Sequence, residues 1–125
     1  MKTLLMAVAL VGMLGSGVAV ATNGNDLQRN CQAAIQGMNS KEAPPLAIII
    51  GMGQCLGLIE GVRNSMLILN DNLPKNYQLC VPKEGVTNMQ ALAVVDKFLH
   101  DNPAMLNLDQ TGLVMLAYKK AYPCK

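Results

Sequence analysis

Cys31, Cys55, Cys80 and Cys124 constrain the fold of this chain more than any other feature. They follow an apolar N-terminal stretch. An even set of cysteines in an exported chain reads as a disulfide framework, whereas in a reducing compartment it would read as metal or redox chemistry. The stretch has the parts of a cleavable export signal. Met1-Lys2 supplies the positive start, Leu4 to Leu14 is uncharged, and Ala19-Val20-Ala21 has the small-x-small ending that signal peptidase accepts. The expected cut follows Ala21. A retained anchor is the alternative, but the apolar run falls short of the roughly 20 residues that a spanning helix needs. No cysteine follows the cut directly, so lipid attachment is not expected. The periplasm, or secretion beyond it, is the expected location.

The remainder, 22–125, is long enough for one domain with a core of its own, reinforced by bridges. Without Lys2, nine Lys and Arg face eight Asp and Glu. Such a balance gives no footprint for nucleic acid or for an anionic membrane surface. There is no Trp, and Tyr77, Phe98, Tyr118 and Tyr122 are too few for base- or sugar-stacking platforms.

Periodicity predicts an all-α bundle of four main helices. The first spans about Asp26 to Met38, with Leu27, Cys31, Ile35 and Met38 on one face and Asn25 with Gln28 as its capping box. Pro44-Pro45 ends the polar connection after it. The second, about Leu46 to Asn70, is long and apolar; a membrane helix is the competing reading, but Glu60, Arg63 and Asn64 interrupt the apolar run too early for it. Gly53, Gly57 and Gly61 form a bare stripe on it, expected to let a neighbouring backbone approach within the core. Glu60 and Arg63 read as a surface pair. The segment Asp71 to Val86 is irregular. Thr87 with Gln90 forms a capping box for the third helix, whose core face is Leu92, Val95, Phe98 and Leu99 and which stops at Asn102-Pro103. The fourth runs from about Leu108 to Ala121, with Leu108, Gly112, Met115, Leu116 and Tyr122 aligned.

A short turn makes the first two helices antiparallel neighbours. Cys31 then lies about 10 Å of helix before the turn and Cys55 about 13 Å after it, at similar heights. The end of the fourth helix returns beside the start of the third, which brings Cys124 to the Cys80 loop. Cys31–Cys55 and Cys80–Cys124 are therefore expected, out of three pairings that four cysteines allow.

Reactive constellations are missing. His100 is the only histidine, near the end of the third helix where a cation complements the helix dipole. Glu60, Asp71, Asp96, Asp101 and Asp109 are dispersed, and the methionines are scattered as adaptable core fillers rather than gathered for a soft metal. No enzyme activity, metal or cofactor is expected. A rigid exported domain of this kind acts by binding another protein.

The string Cys55-Leu56-Gly57-Leu58-Ile59-Glu60-Gly61-Val62 resembles the Cys-x-Gly-x-x-x-Gly element of the Rap/Tai immunity proteins. Cys80-Val81-Pro82, Gly85-Val86-Thr87 opening a helix with Gln90, Val94 to Leu99, Asn102-Pro103 and the closing Tyr122-Pro123-Cys124 follow in that family's order. Leu56-Gly57-Leu58 departs from it in lacking an aromatic residue. The resemblance implies a periplasmic helical protein, usually a homodimer. Its partner would be a peptidoglycan amidase toxin of the type VI secretion system, whose active-site cleft it occludes. On that reading the contact surface lies in irregular segments held by a rigid scaffold. The candidates are Asn72, Lys75, Asn76, Tyr77 and Lys83 in the long loop, with His100, Asp101 and Asn107 near the other turn. Tyr77 leads, because aromatics dominate interface energetics. A periplasmic stress chaperone or structural helical protein is the alternative.

Overall fold

Asn23 opens the first helix by folding its side chain back on the backbone. In the computed structural model, which describes residues 22–125, its Oδ1 accepts from the N–H groups of Asn25 and Asp26, while Asp26 accepts from the N–H of Asn23. The capping box is therefore Asn23 with Asp26 rather than Asn25 with Gln28. The expected export signal lies outside the described residues.

Four helices follow in order: α1 Gly24–Asn39, α2 Leu46–Ile68, α3 Asn88–Asp101 and α4 Gln110–Ala121. Pro45 starts α2 without a side-chain cap, Thr87 and Gln90 cap α3 as expected, and Asp109 accepts from the N–H of Gly112 to start α4. Asn23 and Asp109 meet in an isolated bridge, so the beginnings of α1 and α4 are tied together. Gly24 is required there. A Cβ on it would stand 2.8 Å from the Leu106 backbone, where Gly24 N donates to the Leu108 carbonyl.

The core is built from Leu27, Cys31 and Ala34 of α1, Cys55, Ile59 and Met66 of α2, Leu92, Val95 and Leu99 of α3, and Leu113, Val114 and Tyr118 of α4. Both expected disulfides are present: Cys31–Cys55, with Cα atoms 5.1 Å apart, and Cys80–Cys124, with Cα atoms 4.9 Å apart.

Three expectations are corrected. Gly53, Gly57 and Gly61 are exposed, with nothing within 4 Å of a Cβ placed on any of them. A helix apolar on every side carries no periodic signal to say which face is inward. Here Gly51, Cys55, Ile59, Val62 and Met66 form that face. Arg63 is buried and does not pair with Glu60. Its Nη1 donates to the Val86 carbonyl and its Nη2 to Asn88 Oδ1, both at 2.9 Å. On α4, Leu108 precedes the helix and is exposed, and the inward residues are Leu113, Val114, Ala117 and Tyr118. A phenol can sit there because Tyr118 Oη donates to the Ile59 carbonyl at 2.8 Å. By length and composition α2 could span a membrane. In this fold its inner face builds the core and its Arg63 is bonded within the protein.

Candidate docking surface

Between α2 and α3 the chain forms a strap, 69–80, that lies over α4. It holds two single 3₁₀ turns, Asn70–Asn72 and Lys75–Tyr77, separated by Leu73-Pro74. Pro74 has no N–H to leave unpaired, and its fixed φ suits the turn that follows. Asn70 pins the strap at both ends of its side-chain amide: Nδ2 donates to the Leu79 carbonyl at 3.0 Å and Oδ1 accepts from Leu79 N at 2.8 Å. Gln78 Nε2 donates to the Leu73 carbonyl. The far end is fixed by buried Leu79, by Cys80 N donating to the Tyr122 carbonyl, and by the Cys80–Cys124 bridge.

Apolar grooves open on either side of this strap. One, of about 320 Å³, is lined by Leu58, Val62, Met66, Leu69, Leu73 and Met115, with Gly57 and Gly61 on its rim. The other, of about 430 Å³, is lined by Leu73, Pro74, Tyr77, Gly112, Met115 and Leu116. Leu73 and Met115 line both and form the saddle between them. The Lys119 ammonium rests 4.5 Å from the centre of the Tyr77 ring, a cation–π contact at the edge of the second groove.

Charge is uneven around these walls. Among the described residues, Arg29 pairs with Asp26 and Lys97 with Asp101, while Lys75, Lys119 and Lys120 enter no ion pair. The Lys97 ammonium bonded to Asp101 holds that carboxyl below its usual range. The Asn23 N–H, and then Arg29, do the same for Asp26. Burial pushes the Tyr118 hydroxyl up to about 12, against a smaller lowering by Arg63. No group of three His, Cys, Asp or Glu among the described residues could hold a metal.

The strap gathers Asn72, Lys75, Asn76 and Tyr77, of which only Tyr77 is part of a groove wall. Asp101 lines a smaller cavity of about 220 Å³ with Lys97, Phe98 and Lys120. Lys83 lies in an exposed turn beyond Cys80, His100 faces Asp96 through a 2.8 Å contact of its Nδ1 with that residue's carbonyl, and Asn107 is exposed before α4. These last three line neither main groove. Leu73 and Pro74 are wall residues that the sequence reading did not single out, and Met115 and Leu116, aligned on the fourth helix in that reading, were not assigned to a site. The signal available for Leu73 and Pro74 was the apolar break they make in an otherwise polar loop.

Fold and surface together define a small cross-linked helical domain that presents an apolar, grooved face. The chain belongs to the Rap1a immunity protein family, whose family model matches residues 23–124. No curated protein and no solved structure shows a significant match to it.

Proposed function

We propose that this protein is a periplasmic immunity protein that binds a peptidoglycan amidase toxin of the type VI secretion system and occludes its active site. Membership of the immunity family supports toxin binding. The two disulfides suit an oxidising compartment. One observation carries the occlusion reading: the strap is pinned at both ends and shaped before any partner arrives, so little ordering entropy opposes binding. Inhibition then needs shape alone and no reactive group on this chain. Co-expression of the full chain with an exported amidase from the neighbouring reading frame tests it. Growth is expected to be restored, and failure to protect against every exported amidase of the same genome refutes the reading.

The protein acts as a homodimer on this proposal, paired through the outer face of α2. Leu46 is 71% exposed and Ile68 80%, with Ile49 and Ile50 between them. Leu46 and Ile68 lie equally far from Gly57, one on each side of the stripe of Gly53, Gly57 and Gly61. In an antiparallel pair crossing at Gly57, Gly53 meets the partner's Gly61 and Leu46 meets the partner's Ile68. That mutual relation is what a two-fold interface requires.

A further inference from the structure

We propose that the groove lined by Leu73, Pro74, Tyr77, Met115 and Leu116, on the side of the strap away from the proposed dimer face, is the docking site for one segment of the toxin, an apolar side chain adjacent in sequence to carboxylates. This rests on the reading of the chain as a toxin-binding protein and adds where the toxin docks and with what chemistry.

The apolar requirement comes from the walls. This hollow, of about 430 Å³, is walled by Leu73, Pro74, Met115 and Leu116 with the Tyr77 ring, and is large enough to accept a side chain. Thioethers adapt to the shape of what enters. Surface this apolar on a soluble domain marks an interaction site.

The carboxylates follow from the distribution of charge along α4. At its start, the Asp109 carboxylate is engaged with the Gly112 N–H. Toward its end stand Lys119, which also lines the cavity beside Leu116, and Lys120, with Lys75 in the strap turn that contains Tyr77. The helix dipole accounts for cations in the last turn of α4. It accounts neither for Lys75, which belongs to the strap, nor for the turning of Lys119 onto the Tyr77 ring. Nearby Lys97 shows the contrast, because Asp101 already neutralises it, and Lys120 faces the same carboxylate. Lys75 and Lys119, two cations in no ion pair among the described residues and beside the Tyr77 wall of an apolar groove, fit a segment whose negative charge adjoins its apolar anchor. They also set its placement: the anchor sits at Met115 and the carboxylates at Lys119.

Methionine methyl groups provide the readout, since Met115 lies in the groove and Met38 and Met89 are exposed elsewhere. The oxidised protein, labelled at its methionine methyls, is titrated with a short acetylated peptide of two leucines followed by a run of glutamates. A second peptide carries lysines in place of the glutamates. The glutamate peptide is expected to move Met115 and leave Met38 and Met89 in place, to bind about tenfold more tightly than the lysine peptide, and to weaken as salt rises. Lys119→Glu, at unchanged melting temperature, is expected to narrow or invert that preference, which a purely structural lysine would not do. Equal binding of both peptides, or no movement of Met115, overturns the proposal. So does a Met115→Arg variant that turns a dimer into monomers, because a second copy would then occupy the groove. Protection by the wild type that Lys119→Glu retains in full, at unchanged toxin affinity, overturns the docking site while leaving the immunity function intact. Absence of protection by the wild type defeats the immunity function itself, and the peptide titration still decides the groove.

Discussion

Arg63 is the test of whether the buried polar contacts in this fold are stabilising. The residue is 9% exposed, and its guanidinium reaches from α2 to the Val86 carbonyl and the Asn88 side chain, across more than twenty residues of chain. It therefore fixes the start of α3 against α2. Replacing a buried charge by an apolar group of similar length is often neutral or stabilising, because the cost of desolvating the charge disappears. Arg63→Met meets that condition for volume but leaves both acceptors behind. Asn88 is exposed, so water can replace its lost donor, whereas the half-buried Val86 carbonyl is poorly served. An unsatisfied buried acceptor costs about 1–3 kcal/mol, and hydrogen bonds from a charged donor contribute about 1.5–3 kcal/mol each. Allowing for the recovered desolvation, the net loss is about 2 kcal/mol, or roughly 10 °C in melting temperature for a domain of this size. The assay is chemical denaturation with both bridges intact, run as a double-mutant cycle with Asn88→Ala. The cycle is expected to show coupling of about 0.5–1 kcal/mol. An Arg63→Met protein that unfolds at the wild-type midpoint or above would refute the reasoning, since desolvation would then outweigh both bonds.

The bridges close loops with sequence separations of 24 and 44. The chain-entropy account assigns them about 3.5 and about 4 kcal/mol. Paired Cys→Ala variants are expected to lower the denaturation midpoint in that order, and a larger loss at Cys31–Cys55 would contradict it. The Tyr118 hydroxyl, raised from its ordinary value near 10 to about 12, keeps its proton in the folded state where the unfolded chain has lost it. Its contribution is therefore complete below pH 10 and falls by about 1.4 kcal/mol per pH unit as pH rises toward 12. The difference between wild type and Tyr118→Phe in midpoint against pH isolates this effect from the lysines, and a flat difference speaks against it. In the proposed dimer Gly57 lies on the two-fold axis, so Gly57→Cys is expected to cross-link to its own copy in the periplasm. Lys120→Cys is expected to stay monomeric on a non-reducing gel, and cross-linking of both to the same extent would discard the α2 interface.

Much of the architecture was legible because several local signals agreed. Thr87 and Gln90 marked the start of α3, the double proline marked the start of α2, and helix length with rise per residue put Cys31 level with Cys55. The failures share a different origin. On α2 apolar residues and glycines fall on every face, so periodicity could not choose the inward side, and the tertiary structure chose the side that carries Cys55. Arg63 followed from the same error: three residues from Glu60, it looked solvated, while its true partners lie on a loop and a helix start that no local rule reaches. Tyr118 was missed because a buried phenol needs an acceptor, and the acceptor is a carbonyl of another helix. The groove was partly visible through Tyr77. Its other wall residues come from α2 and α4, and only the path of the strap brings them together.

That path links the staples to the surface. The strap ends at Cys80, whose N–H bonds to the Tyr122 carbonyl and whose sulfur joins Cys124, while Leu79 pairs with Pro123. The end of α4 is thus clamped to the strap one helical turn beyond Lys119, where the Tyr77 contact forms. Cys31–Cys55 clamps α1 to α2 elsewhere and lines neither groove. The two bridges therefore differ in consequence even where they are similar in stability. Opening the first loosens the scaffold as a whole, which stability measurements register. Opening the second frees the strap at one end and enlarges the set of conformations Tyr77 and Lys75 can adopt, so binding loses the advantage of a surface shaped in advance. Protection against the toxin should fall further in Cys80→Ala/Cys124→Ala than its melting temperature accounts for, and Cys31→Ala/Cys55→Ala should show no such excess. No excess in Cys80→Ala/Cys124→Ala would mean that the strap holds its shape without the bridge, on the strength of Asn70 and Leu79 alone, and equal excess in both variants would mean that the loss is not specific to the strap.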